Sequence, residues 1–140
     1  MLRVVLDYVA LTSALLNPHG HAARVLDYAR EQRLRLFATR EMLQTESRIL
    51  RHPSLSHRLD MSGSELDDFL ADLPALFCLV PEAGTSETTR SLEAELLWCA
   101  EQGRADVLAV SSPLPAGNDP PEGTQVIRVD QLVELVDRGA

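Results

Sequence analysis

This sequence predicts an alternating α/β domain: three α/β/α layers around a central parallel sheet of about five strands. Three observations carry that prediction. Short apolar, β-branched runs recur along the chain, segments with apolar residues at helical spacing lie between them, and the length of 140 residues suits one compact domain with one core. Apolar runs without polar alternation belong to strands buried on both faces. Parallel neighbours need crossover helices, which run right-handed and cover the sheet on both sides. Residues 1 to 140 are therefore expected to form a single domain, and no internal repeat or low-complexity segment interrupts them.

The first run, Arg3-Val4-Val5-Leu6, reads as a buried strand ended by Asp7. Leu11, Ala14 and Leu15 then share a helical face, Asn17-Pro18-His19-Gly20 is a turn, and Ala22, Val25, Leu26 and Ala29 resume helical spacing. A second strand is expected at Leu34 to Ala38. Thr39 is placed as the N-cap of a helix whose stripe of Met42, Leu43, Ile49 and Leu50 stops before Pro53. Ser62-Gly63-Ser64-Glu65 opens a further helix with Leu66, Phe69, Leu70 and Leu73 on its buried face, and Pro74 closes it. Leu76 to Val80 is a third strand, residues 86 to 102 a long amphipathic helix, and Val107 to Val110 a wholly apolar fourth strand. The Pro- and Gly-rich stretch from Ser112 to Gly123 reads as an exposed loop, followed by a strand at Gln125 to Val129 and a helix at Asp130 to Val136.

The formal net charge is −8, and all 13 basic side chains are arginines. Net acidity argues against broad, unaided adhesion to nucleic acid, which depends on basic groups displacing counterions from phosphates. The arginines gather in the first half (Arg24, Arg30, Arg33, Arg35, Arg40, Arg48, Arg51, Arg58), as either a binding face or a solvated helix surface. No stretch is long and apolar enough to span a bilayer, and the start lacks the pattern of a secretory signal, so a soluble, cytoplasmic protein with no membrane partner is expected. Cys78 and Cys99 are both read as reduced core thiols.

In a parallel α/β sheet, ligands bind outside the carboxyl ends of the strands, which singles out Asp7 after the first strand and Ser111 and Ser112 after the fourth. Asp7 also suits a helix N-cap, and the serines also suit a capping turn before Pro113. The histidine pairs His19/His21 and His52/His57 each lack a third ligand nearby, so neither makes a metal site by spacing. No Gly-rich phosphate loop follows the first strand, and no Ser/His/Asp ordering is discernible.

The opening VVLDYVALTSALLNPHGHAARVLD resembles the amino-terminal signature of bacterial PIN-domain proteins of the toxin type, in which a strand ends in Asp-Thr-Asn before an apolar helix containing Ser-Ala-Leu-Leu. The similarity continues through RLRLFATREMLQTESRILRHPSL, GRADVLAV and QVIRVDQLVELV and so covers nearly the whole chain. It implies a three-layer PIN-like fold and a ribonuclease ancestry, with Mg or Mn held by carboxylates. Hard divalent cations prefer oxygen ligands, and the bound metal activates water and stabilises charge on the scissile phosphate.

Carried over residue by residue, the first acid is Asp7, but Tyr8-Val9 replaces the Thr-Asn that follows it. The second falls on Thr45, which has no carboxylate. Glu41, one turn earlier on the same face, and Glu46, next to Thr45, are the acids that a rotated or shifted helix would bring in. The third falls near Glu93, and a solvated helix face is the plain alternative for Glu93 and Glu95. The fourth falls on Ser112, while Asp106 begins its strand and belongs at the opposite edge. Asp7 and Glu93 are thus the catalytic and metal-binding candidates that the resemblance leaves. The expectation is reduced or lost nuclease activity, with two alternatives open: an active ribonuclease using displaced carboxylates, or a non-catalytic module. Its partner would be an antitoxin or other protein, uncut RNA, or a second copy forming a homodimer.

Overall fold

The structure, a computed structural model, describes residues 1–59, 61–81, 91–114 and 117–139. Along the chain run β1 (Leu2–Leu6), α1 (Tyr8–Leu16), α2 (His21–Arg30), β2 (Leu34–Ala38), α3 (Arg40–Arg51), α4 (Pro53–Ser56), α5 (Gly63–Asp72), β3 (Phe77–Leu79), α6 (Leu92–Gln102), β4 (Val107–Val110), β5 (Gln125–Arg128) and α7 (Val129–Asp137). The five strands pair in parallel in the order β3-β2-β1-β4-β5, which is the expected three-layer α/β/α arrangement.

Burial follows from that order. β1 lies at the centre, with Val4 opposite both Leu36 and Val107, and Val4, Val5 and Leu6 are buried along with all four residues of β4. The absence of polar alternation in these strands reflects cover on both faces. On the helical side α1 and α7 both pack on α2, α1 also meets α3, and α6 lies across β1 and β2.

Local capping explains most helix starts. Asp7, Thr39, Ser62 and Ser91 each accept a backbone N–H of the first turn, and Ser62 with Glu65 completes the reciprocal capping box. Several expectations shift. The chain leaves α5 at Asp72, and Pro74 sits within a 3₁₀ turn, Leu73–Leu76, that shortens the third strand to three residues. A one-turn helix, α4, begins at Pro53, where the missing N–H of proline costs nothing. Residues 86 to 90 of the expected long helix lie outside the described residues, and its described part begins at Leu92. Cys99 is a core thiol as expected, but Cys78 is exposed, because β3 is an edge strand with one side uncovered.

Polar contacts fasten the rim. The Arg3 backbone N–H donates to Asp106 Oδ2 at 2.9 Å, and its guanidinium donates to the Gly103 carbonyl at 2.8 Å while lying 4.4 Å from the Phe37 ring centroid. A Cβ on Gly103 would fall 3.0 Å from Phe37 Cγ, so any larger residue here would have to push the Phe37 ring aside. Asp106 thus sits at the amino edge of the sheet, as its place at the start of β4 implies. Between α2 and α7, Tyr28 donates to Asp137, accepts from Arg24 at 2.9 Å and lies under Arg33 at 4.6 Å. Four of the clustered arginines are paired with acids, Arg24 with Asp137, Arg30 with Asp27, Arg33 with Glu31 and Arg51 with Asp67. Much of that cluster is therefore a solvated, ion-paired surface.

Leu108 has no exposed surface in the middle of β4. Leu108→Ala is expected to lower stability by about 2–5 kcal/mol, read as a shifted urea midpoint with an unchanged slope.

Candidate acidic cleft at the carboxyl edge of the sheet

Asp7 leaves β1 at its carboxyl end, and both of its carboxylate oxygens are taken by backbone amides. Oδ1 accepts from Ala10 N at 2.8 Å and caps α1, and Oδ2 accepts from Ser111 N at 3.0 Å, just past β4. Burial raises the Asp7 pKa above the usual carboxylate value, and the hydrogen bonds from Ser111 and Ala10 oppose that shift.

Glu46 is the acid of α3 turned inward, and its relative exposure is 0%. It falls on the buried stripe of Met42, Leu43 and Leu50, one turn after Met42 and one turn before Leu50. Its Oε1 lies 2.6 Å from Thr12 Oγ1 on α1, while Oε2 has no hydrogen-bond partner among the described residues. Burial pushes the Glu46 carboxyl up to about 7; the Thr12 hydrogen bond opposes this and the nearby Asp7 charge adds to it.

Glu95, in the first turn of α6, is also buried and accepts from Thr39 Oγ1 at 2.7 Å. Thr39 itself is fully buried; it caps α3 by accepting Met42 N at 3.0 Å and holds Glu95 with its hydroxyl hydrogen. Tyr8, the first residue of α1, is buried near these acids. Burial raises its phenol pKa, and the charges of Glu95, Glu41, Cys99 and Glu46 add to the shift.

The acids brought around Tyr8 only partly match those marked in the sequence. Asp7 is at the cleft. Glu93 is half-buried in the first turn of α6, whereas the acid of that turn in the core is Glu95, so the expected solvated face does not hold for Glu95. Thr45 is half-buried and accepts from Arg48 at 3.1 Å, and Glu41 is exposed. Glu46 holds the inward place on α3. Val9 and Ser112 are exposed, and Ser111 contributes its backbone N–H. The histidines serve local structure where their bonds are seen: His52 caps α4 and His57 Nδ1 lies 2.7 Å from the Pro53 carbonyl.

A divalent ion needs several carboxylate oxygens free to converge on one point. Here both oxygens of Asp7 hold amides, and Glu46 and Glu95 are each tied through Oε1 to a threonine. Among the described residues no group of three or more His, Cys, Asp or Glu side chains is placed to hold a metal ion. Asp7, Glu46 and Glu95 keep further acceptor lone pairs, but as placed each is first engaged by an amide or a threonine of the fold.

Asp7 therefore acts first as a structural clamp. Asp7→Ala removes a helix cap and leaves the Ser111 amide without its acceptor, and a loss of about 1–3 kcal/mol is expected in urea unfolding, with no metal added. Comparison with known proteins returns no matching family model, no matching curated protein and no matching solved structure.

Proposed function

We propose that this chain is a PIN-like protein of the toxin type that keeps the scaffold of a Mg- or Mn-dependent ribonuclease with cleavage reduced or lost, and that it serves as a binding module. The observation that carries this reading is Tyr8, a buried phenol among Glu41, Glu46 and Glu95 in the cleft beside Asp7. A hydrated metal and a scissile phosphate would need the volume that the ring takes.

A protein partner is favoured over RNA by two further features. Net charge is −8, and of the exposed large apolar residues described (Met1, Val9, Leu79 and Leu92), all but Met1 lie at the carboxyl edge. Val9 lies in the first turn of α1, Leu79 ends β3 and Leu92 starts α6. An antitoxin, another protein or a second copy of the chain would cover such a surface, whereas the phosphates of RNA would meet acids there.

The second reading is an active ribonuclease with displaced carboxylates. What favours it is that α3 and α6 each turn one glutamate, Glu46 and Glu95, into the same cleft as Asp7. Cleavage of single-stranded RNA in Mg or Mn, run beside calorimetric titration of Mn, separates the two. The binding-module reading expects no cleavage and no binding tighter than about millimolar, the weak range left to a poorly chelated hard cation. Cleavage by the wild type that disappears in Asp7→Asn would instead establish the displaced-carboxylate enzyme.

A further inference from the structure

We propose that the chain pairs with a second copy of itself along β3, antiparallel and edge to edge, so that one sheet runs through both copies and Cys78 faces Cys78 across a two-fold axis.

The two edges of the sheet are built differently. β5 is flanked by exposed polar residues, Gln125 at its start and Arg128 at its end, and charge on an edge strand discourages further pairing. β3 has no such guard. It lies in the run Leu76-Phe77-Cys78-Leu79-Val80, and no charged residue stands between Asp72 and Glu82. Cys78 and Leu79 are exposed, and among the described residues no strand pairs with the outer side of β3.

Backbone direction sets the register. The Val80 N–H donates to the Ala38 carbonyl of β2 at 3.0 Å, and amides alternate in direction along a strand. The Leu79 N–H and the carbonyls of Phe77 and Leu79 therefore point away from β2, at the open edge. The Phe77 N–H is already given to the Pro74 carbonyl. An antiparallel pairing centred on Cys78 needs only what remains: the Leu79 N–H of each copy donates to the Phe77 carbonyl of the other. A parallel sheet accepts an antiparallel strand at its edge, and a two-fold axis crossing a strand makes that strand antiparallel to its copy.

The side chains beside the edge complement themselves under the same rotation. Leu43, Leu70, Leu73, Pro74 and Leu79 line an apolar groove with Arg40 at its side. Arg40 opens α3 just after β2 and so belongs to the carboxyl end of this edge; Asp72 closes α5 before the 3₁₀ turn into β3 and belongs to the amino end. Both are exposed, and neither has an ion-pair partner among the described residues. Antiparallel pairing brings the carboxyl end of one copy to the amino end of the other. Arg40 of each copy then meets Asp72 of the other, and the two apolar grooves close between these pairs. Each copy carries a net charge of −8, so two copies meet most easily where an uncharged strand is bordered by opposite charges. An acidic peptide in the groove would engage Arg40 and leave Asp72 facing like charge.

This pairing goes beyond the binding-module reading, because it uses the sheet edge and none of the acids of the cleft. A dimer that cleaves RNA removes that reading and leaves the pairing, whereas a monomer that does not cleave removes the pairing and leaves the reading.

The intact chain is tested first by sedimentation equilibrium in reducing buffer from about 1 to 200 µM, a range suited to a small interface, and a monomer–dimer equilibrium is expected. Leu79→Lys, which puts a charge on the edge, is expected to be monomeric with the circular dichroism of the wild type. Arg40→Glu and Asp72→Arg are each expected to weaken the dimer about tenfold, since the axis repeats every pair, and the double variant to restore it. Diamide then reports the register. Facing residues of the non-hydrogen-bonded type have Cα atoms about 4.5 Å apart, within the span of a disulfide. The two Cys78 thiols give two protons and two electrons to the N=N bond of diamide, and a linked dimer is expected that Cys78→Ser abolishes. A mass of one copy throughout the range overturns the proposal, and so does a dimer that survives Leu79→Lys or yields no Cys78 disulfide. Should Leu79→Lys fail to fold, the wild-type disulfide and the charge exchange decide.

Discussion

The carboxylate of Asp7 is the contact on which the carboxyl edge of the sheet depends. One oxygen caps α1 and the other holds the backbone just past β4, while the Asp7 N–H continues the ladder to Ala109. A single side chain therefore fixes the exit of the central strand, the start of the first helix and the turn after the neighbouring strand. Its burial is tolerated because each oxygen is met by an amide donor. Everything else in the cleft is arranged around that anion, including the other acids, which must be accommodated beside it.

That accommodation is achieved with threonines. Thr12 and Thr39 each place a hydroxyl against a buried glutamate, and each also bonds to backbone, Thr12 to the Tyr8 carbonyl and Thr39 to the Met42 amide. A hydroxyl can both give and accept, so it adapts to a charged or a neutral carboxyl in a way that an arginine would not. With Tyr8 buried beside them, the acids of the cleft are held by local hydrogen bonds, and Asp7 and Glu46 lie close enough for the charge of one to disfavour ionisation of the other. Carboxylates arranged this way contribute electrostatic constraint more than coordination capacity.

How much of this was legible in the sequence depended on whether the signal was local. The β-branched runs and the caps at Thr39 and Ser62 were readable because they depend on neighbours within a few residues, and the parallel sheet followed from their alternation. The exposure of Cys78 was not, because an apolar run looks the same in an edge strand as in a central one and strand order is set by distant pairings. Glu46 and Glu95 show the same limit. Both occupy apolar-stripe positions at helical spacing, a usable sign of burial, but charge argued for solvent, and what reverses that is a threonine 34 residues away for Glu46 and 56 residues away for Glu95. Tyr8 could be marked in the sequence as the residue after Asp7, but its burial and its nearness to acids of α3 and α6 depend on helices from distant parts of the chain.

The fastening at the amino edge has a wider consequence. Arg3, Gly103, Asp106 and Phe37 tie the start of β1 to the turn before β4, and the Asp106 carbonyl accepts from Gln125 to bring in β5. The sheet is thus secured at the end opposite the cleft, by contacts that share no side chain with it. Such a division of labour makes the fold evolvable, because side chains on the first turns of α3 and α6 can drift in chemistry while the register of the strands is held from the other end. Asp7 is the exception. It belongs to both the scaffold and the cleft, and an acid at that position would persist through such drift for reasons of architecture alone.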